Sequence, residues 1–334
     1  MKPAVLCLLL LAAALLAPLA RAADSAPTPA SAASASSAPE CPPQPTPLTA
    51  EAATQGMREA VDRGYLFRLT KGGRTSWLFG TIHVARLPWM FPGPQLREAL
   101  RASDQVALEL DMLDPDITRR VLAAITAPAG AAPLPPPLAG RLQQQALALC
   151  AGNELAGLRP EMQAMTLGVL AARRIGLEPG YGIDGFLAGL GRQMRKPVLS
   201  LETPEGQIAA LVQPTPEATA RVVGHMLDDL ASEQAFELLR RTAEAWARSD
   251  WDEMASYAQW CRCMDTEDDR ALMRRLLDDR NVTIAAKVKG LHEGGTRLFV
   301  GVGSLHLIGP QGLPALLAAE GFEVARVLPP PAAR

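Results

Sequence analysis

Two short motifs in this chain place a histidine three residues after a glycine, at the end of an apolar run. The first is "LFGTIHV", with Gly80 and His83, and the second is "LFVGVGSLHLIG", with Gly303 and His306. Glycine permits a turn or the close approach of another segment, so each imidazole can point across the end of a strand. Imidazole nitrogens bind divalent metals and exchange protons near neutral pH. The repeated G-x-x-H spacing therefore indicates one shared site.

Two glutamates complete the candidate site. Glu109 lies in "VALEL", where an ionised carboxylate is costly to bury without a cation or several hydrogen bonds. Glu202 ends another apolar stretch, "KPVLSLE". Two imidazoles and a carboxylate are a normal ligand set for a catalytic divalent metal with an open position for water. We expect His83, Glu109 and His306 to bind the metal, and Glu109 and Glu202 to be the catalytic carboxylates.

Each of these residues also has a structural interpretation. A single histidine at a strand end is more often a hydrogen-bonded core residue than a ligand. Glu109 can pair with an arginine such as Arg68, and Glu202 can favour the start of a helix at "TPEGQ". Asp111 and Asp184 are candidates for holding an imidazole in one tautomer.

Other motifs in the sequence give weaker support for a functional site. His225 and His292 lie within a helical stretch and near a helix end, where structural or capping roles are expected. The G-x-G of "GVGSLH" lacks the third glycine and the acidic residue of a dinucleotide site. Ser304 has no G-x-S-x-G context, which argues against a serine hydrolase.

The elements that must position these residues form an α/β pattern. The segments "YLFRLT" and "TSWLFGTI" predict a hairpin, because glycines occupy the turn between them. A helical pattern then leads into the strand "QVALELDM", which suggests a parallel crossover. We expect a mixed, partly parallel central sheet with flanking helices and large helical insertions. The carboxyl ends of its strands are where ligand sites gather.

The chain also divides by composition. Residues 1–22 have the positive start, apolar run and "ARA" cleavage pattern of a signal peptide, and residues 23–49 are an Ala/Ser/Pro-rich linker. Residues 50–329 are expected to form the α/β domain, with a helical insertion over 204–292. We expect a periplasmic or secreted protein, without stable membrane insertion once the signal is removed.

The net charge limits the classes of partner to expect, and the cysteines bear on the cellular compartment of the protein. A net charge of -2 and a pI of about 6.1 give no reason to expect nucleic acid, so a peptide or a small molecule is the expected substrate. Four cysteines remain outside the signal peptide, and an oxidising compartment favours disulfides, in one of three possible pairings. A metal site at the C-x-C pair is the weaker alternative. The four are Cys41, Cys150, Cys261 and Cys263.

The motifs together resemble the TraB/GumN family, which includes the Tiki proteins and is distantly related to erythromycin esterases and ChaN-like proteins. The matching segments are "LFGTIHV", "ALELDM", "GIDGFL", "KPVLSLET" and the C-terminal "LFVGVGSLHLIGPQGLPALLAAEGFEV", spread over residues 60–328. The resemblance implies an α/β core with helical insertions, similar to that of erythromycin esterase (EreA) and ChaN. By similarity to the Tiki branch, it implies a peptidase that uses manganese or a similar divalent ion.

The resemblance also implies roles for individual residues. His83 and His306 match the two motif histidines of the family, and Glu109 matches its glutamate, which in the wider group is also described as a general base. GumN-type members mostly lack an established activity, and one branch is linked to inhibition of a peptide pheromone. We therefore expect a secreted metal-dependent hydrolase, similar to a peptidase. The alternative is a non-catalytic periplasmic protein that sequesters a peptide, a metal or a haem.

Overall fold

A six-stranded mixed sheet forms the centre of the computed structural model, which describes Cys41, Pro45 and residues 47–330. The predicted signal peptide, residues 1–22, and most of the predicted linker, residues 23–49, lie outside the described residues. The strands are β1 (Tyr65–Lys71), β2 (Arg74–Thr81), β3 (Gln105–Leu108), β4 (Val198–Ser200), β5 (Leu298–Gly303) and β6 (Glu323–Leu328).

The strands lie in the order β4-β3-β5-β2-β1-β6. The four strands from β4 to β2 are parallel neighbours, whereas β1 pairs antiparallel with both β2 and β6. The turn between β1 and β2 contains Gly72 and Gly73, both at positive φ, as the predicted hairpin requires. The prediction of an α/β fold with a mixed, partly parallel sheet is confirmed.

Helices flank the sheet and fill the long connections. Many begin at a proline. Proline suits the first helical turn because it has no backbone N–H, and an N–H at that position would have no intrahelical partner. A π-helical segment, Arg274–Asp278, joins α13 to α14. The helices are α1 (Ala50–Glu59), α2 (Pro94–Ala102), α3 (Pro115–Ile125), α4 (Pro136–Ala148), α5 (Gly152–Leu155), α6 (Pro160–Ala171), α7 (Ile183–Gln193), α8 (Pro204–Leu211), α9 (Pro216–Leu230), α10 (Glu233–Ala247), α11 (Trp251–Ala255), α12 (Tyr257–Trp260), α13 (Glu267–Met273), α14 (Asp279–Glu293) and α15 (Leu313–Ala319).

The four parallel strands end at the same edge of the sheet. In the order of the strands, this edge carries Glu202 after β4, Glu109 directly after β3, Gly303 at the end of β5 and His83 after β2. The central strand β5 is buried throughout and β3 is buried at its last three residues, whereas β4, at the edge of the sheet, is half-buried. The polar residues therefore lie where the apolar strands stop, at the edge that binds ligands in open α/β sheets.

Two disulfides join the four cysteines outside the predicted signal peptide. Cys41 pairs with Cys150, and Cys261 pairs with Cys263, so the structure selects one of the three possible pairings. Among the helices of the described part of the chain, none has the length and apolar character needed to cross a membrane.

Candidate functional site

The first G-x-x-H motif holds His83 against the start of α7. Asp184 lies in the first turn of that helix and accepts a hydrogen bond from His83 Nδ1 at 2.6 Å and one from Thr81 Oγ1 at 2.7 Å. The backbone N–H of Ile183 donates to the carbonyl of Ile82, which fixes the helix against the turn. An ionised carboxylate can only accept, so Nδ1 carries the proton and Nε2 keeps its lone pair in the neutral imidazole.

The second motif holds His306 in the same tautomer through an amide. The Nδ2 of Asn281 donates to the carbonyl of Gln311 at 2.8 Å and more weakly to that of His306 at 3.3 Å. These two bonds orient the amide, so its Oδ1 accepts from His306 Nδ1, at 2.6 Å. The Nε2 lone pair of His306 is therefore also available.

Both Nε2 atoms are buried, and within the described residues neither has a hydrogen-bond partner. His83 is 3% exposed and His306 is 0% exposed. Buried side-chain nitrogens are nearly always paired in folded proteins, so two unpaired ones at one site mark a position where a water molecule, an ion or another ligand can bind.

Glu109 lies between the two histidines. Its Oε1 accepts the backbone N–H of Gly303 at 2.6 Å and lies 3.8 Å from His306 Nε2. A Cβ placed on Gly303 would meet His83 Nε2 at 3.2 Å and Glu109 Oε1 at 3.3 Å. The structure thus brings His83, Glu109 and His306 together around the glycine that ends β5.

Glu202 belongs to the same network but lies one step further from the imidazoles. Arg280 donates to Glu202 Oε1 and Oε2 at 2.8 and 2.6 Å, and to Glu109 Oε2 at 2.6 Å. Gln207 also donates to both glutamates, at 3.0 and 2.8 Å. The helix start that follows is capped by Thr203. The Arg280 guanidinium and the Gln207 amide therefore fix the two carboxylates side by side.

The two motif glycines allow the motifs to pack against each other. A Cβ on Gly80 would lie 2.6 Å from Leu307 Cδ1 and 2.7 Å from Ser304 Oγ, both in the short helical turn Ser304–Leu307 of the second motif. In the sheet, Gly80 lies opposite Val302. Glycine at position 80 is thus required by a close approach, and that approach brings His306 beside the first motif.

The charges around the histidines perturb their protonation. Burial disfavours the imidazolium and lowers the pKa of His306 from 6.5 to about 3, with Glu109 opposing it. Burial raises the pKa of Glu109, but His306, Arg280 and His83 outweigh it and lower that pKa from 4.5 to about 2. Burial also acts to lower the pKa of His83, yet Asp184 outweighs it, so the pKa is raised above 6.5.

The remaining candidates have other partners. Asp111 pairs with Arg192, through Oδ2 and Nη2 at 2.6 Å, and not with an imidazole. His292 Nδ1 shares a hydrogen bond with Ser76 Oγ at 2.8 Å, a structural contact far from the sheet edge described above. His225 lies within α9, where it is half-buried.

Three site residues were not anticipated from the sequence: Gln207, Arg280 and Asn281. Asn281 carried the clearest signal. It lies four residues after Leu277 and three before Ile284, so it interrupts the apolar face of a helix, and all three side chains are buried. A polar residue at such a position needs a partner.

The donor set fits a cation only in part. In the described part of the chain, no group of three or more His, Cys, Asp or Glu side chains is arranged to hold a metal ion. The two free Nε2 atoms nevertheless supply two imidazole donors. The surrounding charge also suits a cation, because the site contains three carboxylates: Glu109 and Glu202 pair with the guanidinium of Arg280, and Asp184 accepts from His83.

Comparisons with known proteins match most of the chain. The model of the TraB/PrgY/gumN family matches residues 65–326. Two curated relatives, each called "Uncharacterized protein YbaP", come from Shigella flexneri and Escherichia coli (strain K12). Each is 28% identical over 264 residues, which cover 74% of this chain and 89% of the relative. No solved structure matches.

Proposed function

Because this chain belongs to the TraB/PrgY/gumN family, as its motifs predicted, we propose that it is a metal-dependent hydrolase whose divalent cation, manganese or a similar ion, is held by His83 and His306. One observation carries the proposal: among the described residues, two buried Nε2 atoms at one site have no hydrogen-bond partner, while Asp184 holds Nδ1 of His83 and Asn281 holds Nδ1 of His306. Zinc and related metals bind imidazole in this way, with a second group holding the other nitrogen.

The cation would supply Lewis acidity, which polarises a carbonyl group and lowers the pKa of a water molecule toward about 7. The chain's own residues prepare the site for it. Asp184 and Asn281 keep both imidazoles in the tautomer that presents Nε2. The hydrogen bonds of the imidazoles also restrict their rotation, so the two donors need little reorganisation on binding.

Glu109 is the carboxylate placed to join the histidines as a third ligand or to accept a proton from water. Its Oε2 is held by Arg280 and Gln207, whereas its Oε1 faces His306 Nε2. Glu202 is held by the same two side chains and supplies further negative charge. We assign to Arg280 the task of fixing both carboxylates beside the reacting bond and of helping to keep Glu109 ionised.

The bond cleaved is proposed to be an amide in a peptide. This part of the proposal is supported by the resemblance to the Tiki branch. The proposed location is the periplasm or the medium outside the cell, supported by the signal-peptide pattern of residues 1–22 and by the two disulfides.

Metal binding tests the proposal first. Equilibrium dialysis against manganese chloride, followed by elemental analysis, is expected to give about one ion per wild-type chain. His83→Ala and His306→Ala are expected to lose it, whereas His225→Ala, which removes a histidine from α9, keeps it. Unchanged metal content in both site variants would contradict the proposal.

Catalysis is tested separately with a peptide library, with and without manganese, and with a chelator control. Cleavage that the chelator abolishes supports a hydrolase. Tight peptide binding without turnover would contradict it and favour the alternative, a binding protein that uses the same histidines.

A further inference from the structure

A cavity of about 510 Å³ opens beside His83, on the side of α7. Its volume falls in the range of about 300–1,000 Å³ that is typical of sites for small ligands. Most of its lining is apolar, and the side chains that argue for an apolar occupant are Met90, Leu110, Met112, Phe186 and Leu190. The cavity therefore adjoins His83, whose Nε2 has no hydrogen-bond partner among the described residues.

Among the described residues, the cavity lining has no lysine or arginine that could pair with an incoming anionic group. Of the described residues that line it, His83 and Asp184 are the titratable ones, and they are hydrogen-bonded to each other at 2.6 Å. The other oxygen of Asp184 accepts from Thr81. An anionic side chain entering here would lose its hydration and would meet the carboxylate of Asp184 instead of a counter-charge, which disfavours it strongly against an apolar one.

Two glycines of α7 keep the cavity open. Gly185 and Gly189 are one helical turn apart, and both line it. A Cβ on Gly185 would meet nothing within 4 Å, and one on Gly189 would meet Leu113 Cδ1 at 4.0 Å. Neither glycine has a positive φ, so the backbone does not require glycine there. Since glycine weakens a helix relative to alanine, the space they leave is the reason that the structure offers for them.

We infer that this cavity is the subsite for an uncharged, apolar side chain of the substrate, next to the bond that is cleaved. The inference rests on the proposed function, because it takes His83 as a ligand of the catalytic ion. The apolar walls bind the side chain, and the floor formed by Gly185 and Gly189 admits one as large as leucine or phenylalanine.

Binding of small amides to the metal-free protein tests the subsite without any activity. In protein labelled with ¹³C at its methionine methyl groups, N-acetyl-leucine amide is expected to shift the signals of Met90 and Met112. N-acetyl-aspartate amide is expected to bind at least about tenfold more weakly. Equal binding of the two amides, or shifts confined to other methionines, would overturn the inference.

Filling the cavity supplies the matched variants. Gly189→Leu places a side chain in the open space and is expected to weaken binding of the leucine amide at least about tenfold. Gly185→Leu is a second variant of the same kind. Gly290→Leu is the control, because Gly290 is an exposed helical glycine with nothing within 4 Å of its Cβ position. Unchanged binding in folded Gly189→Leu and Gly185→Leu would overturn the inference.

Cleavage of a peptide library by the manganese-loaded enzyme separates this inference from the proposed function. Preference for leucine or phenylalanine beside the cleaved bond, reduced at least about tenfold in Gly189→Leu, supports the subsite. Cleavage without that preference would overturn the subsite and leave the hydrolase standing. Selective amide binding with no cleavage of any peptide would contradict the hydrolase, and with it the assignment of the cavity to a substrate.

Discussion

The two histidines of the site differ in the group that holds each Nδ1. His83 donates to a carboxylate and His306 to an amide, and both bonds are 2.6 Å long. A carboxylate raises the basicity of its imidazole and strengthens the bond that Nε2 makes to a cation, whereas an amide mainly orients the ring. His83 is therefore expected to be the stronger of the two donors, through Asp184.

At the residue scale, this difference predicts the effect of Asp184→Asn. The change removes the negative charge behind His83 and is expected to weaken manganese binding about 10- to 100-fold, as losses of such outer groups typically do. Isothermal titration calorimetry measures the affinity. Asp111→Asn is the matched control, because Asp111 pairs with Arg192 and not with an imidazole. Equal losses in the two variants would point to a general effect on the fold instead.

A second residue-scale prediction concerns pH in the metal-free protein. In the folded chain the pKa of His306 is lowered from 6.5 to about 3. Between pH 3 and pH 6.5, the unfolded chain therefore binds a proton at this residue and the folded chain does not. Its contribution to stability is therefore present above pH 6.5 and lost as the pH falls toward 3. His83, whose pKa is raised, acts with the opposite sign, and its contribution is lost as the pH rises.

Urea unfolding at pH 5 and pH 6, in buffer that contains a chelator, isolates the contribution of His306 to the free energy of unfolding. Wild-type protein is expected to lose more stability on acidification than His306→Gln, with a difference in slope of up to about 1.4 kcal/mol per pH unit, which corresponds to one proton. Identical slopes in the two proteins would contradict the burial of a neutral imidazole at position 306.

The sequence carried enough information to find the histidines and Glu109, but not their partners. The two imidazoles follow from a repeated spacing, which local patterns can reveal. Arg280 and Gln207 contact Glu109 from helices that lie 98 residues or more away in the chain. No local spacing of residues in the sequence could therefore predict these contacts. The alternative interpretation of Glu109, a pair with an arginine such as Arg68, holds for the type of partner, but the arginine is Arg280.

At the element scale, the G-x-x-H motif serves packing as much as chemistry. The glycine of the first motif makes room for the turn of the second, and Gly303 makes room for His83 and Glu109. Two strands that end next to each other can present two imidazoles to one point only if no Cβ intervenes. In each motif, the glycine therefore provides the space that allows the histidine to reach the shared site.

This packing predicts the effect of Gly80→Ala. The new methyl group would lie 2.6 Å from Leu307 Cδ1 and 3.3 Å from Ser304 Cα, so the second motif must shift. We expect a loss of about 1–3 kcal/mol in the free energy of unfolding, typical of overpacking, measured by urea denaturation. Gly290→Ala, on the exposed side of α14, is expected to gain about 0.5–1 kcal/mol. Equal stability of Gly80→Ala and wild type would refute the close approach.

The sequence predicted which segments are strands and helices better than it predicted the residues at which they begin and end. The predicted strand "QVALELDM" ends at Leu108, so Glu109 lies just beyond β3 and not within it. The consecutive residues Ala107 and Leu108 are both buried, as is usual in a parallel strand covered on two faces. The proline-rich stretch "APAGAAPLPPPLAG" after Thr126 has the composition of a loop, yet it contains the start of α4 at Pro136, because proline is tolerated in the first helical turn.

At the scale of the whole molecule, the site is assembled from two sources. The parallel strands deliver Glu202, Glu109, His306 and His83 to one edge of the sheet. The helical region over residues 204–293 supplies the groups that hold them, among them Gln207 in α8 and the two neighbours Arg280 and Asn281 in α14. The same region covers the edge, since Trp246 Nε1 in α10 donates to the carbonyl of Gly80.

This division explains why the fold class was predictable and the completed site was not. Strands, glycines and crossovers follow local patterns, and these were enough to predict a mixed α/β sheet. The helical region has an apolar pattern that predicts helices, but its placement over the sheet depends on long-range packing that single-sequence patterns do not contain. Arg280 and Asn281 acquire their roles only through that placement.

The position of a bound ion tests the central claim most directly. Crystals grown with manganese chloride and measured near the manganese absorption edge would locate the ion by anomalous scattering. We expect a peak at bonding distance from the Nε2 atoms of both His83 and His306, at the carboxyl edge of β2 and β5. A manganese peak elsewhere, or none at these two nitrogens in fully loaded protein, would contradict it.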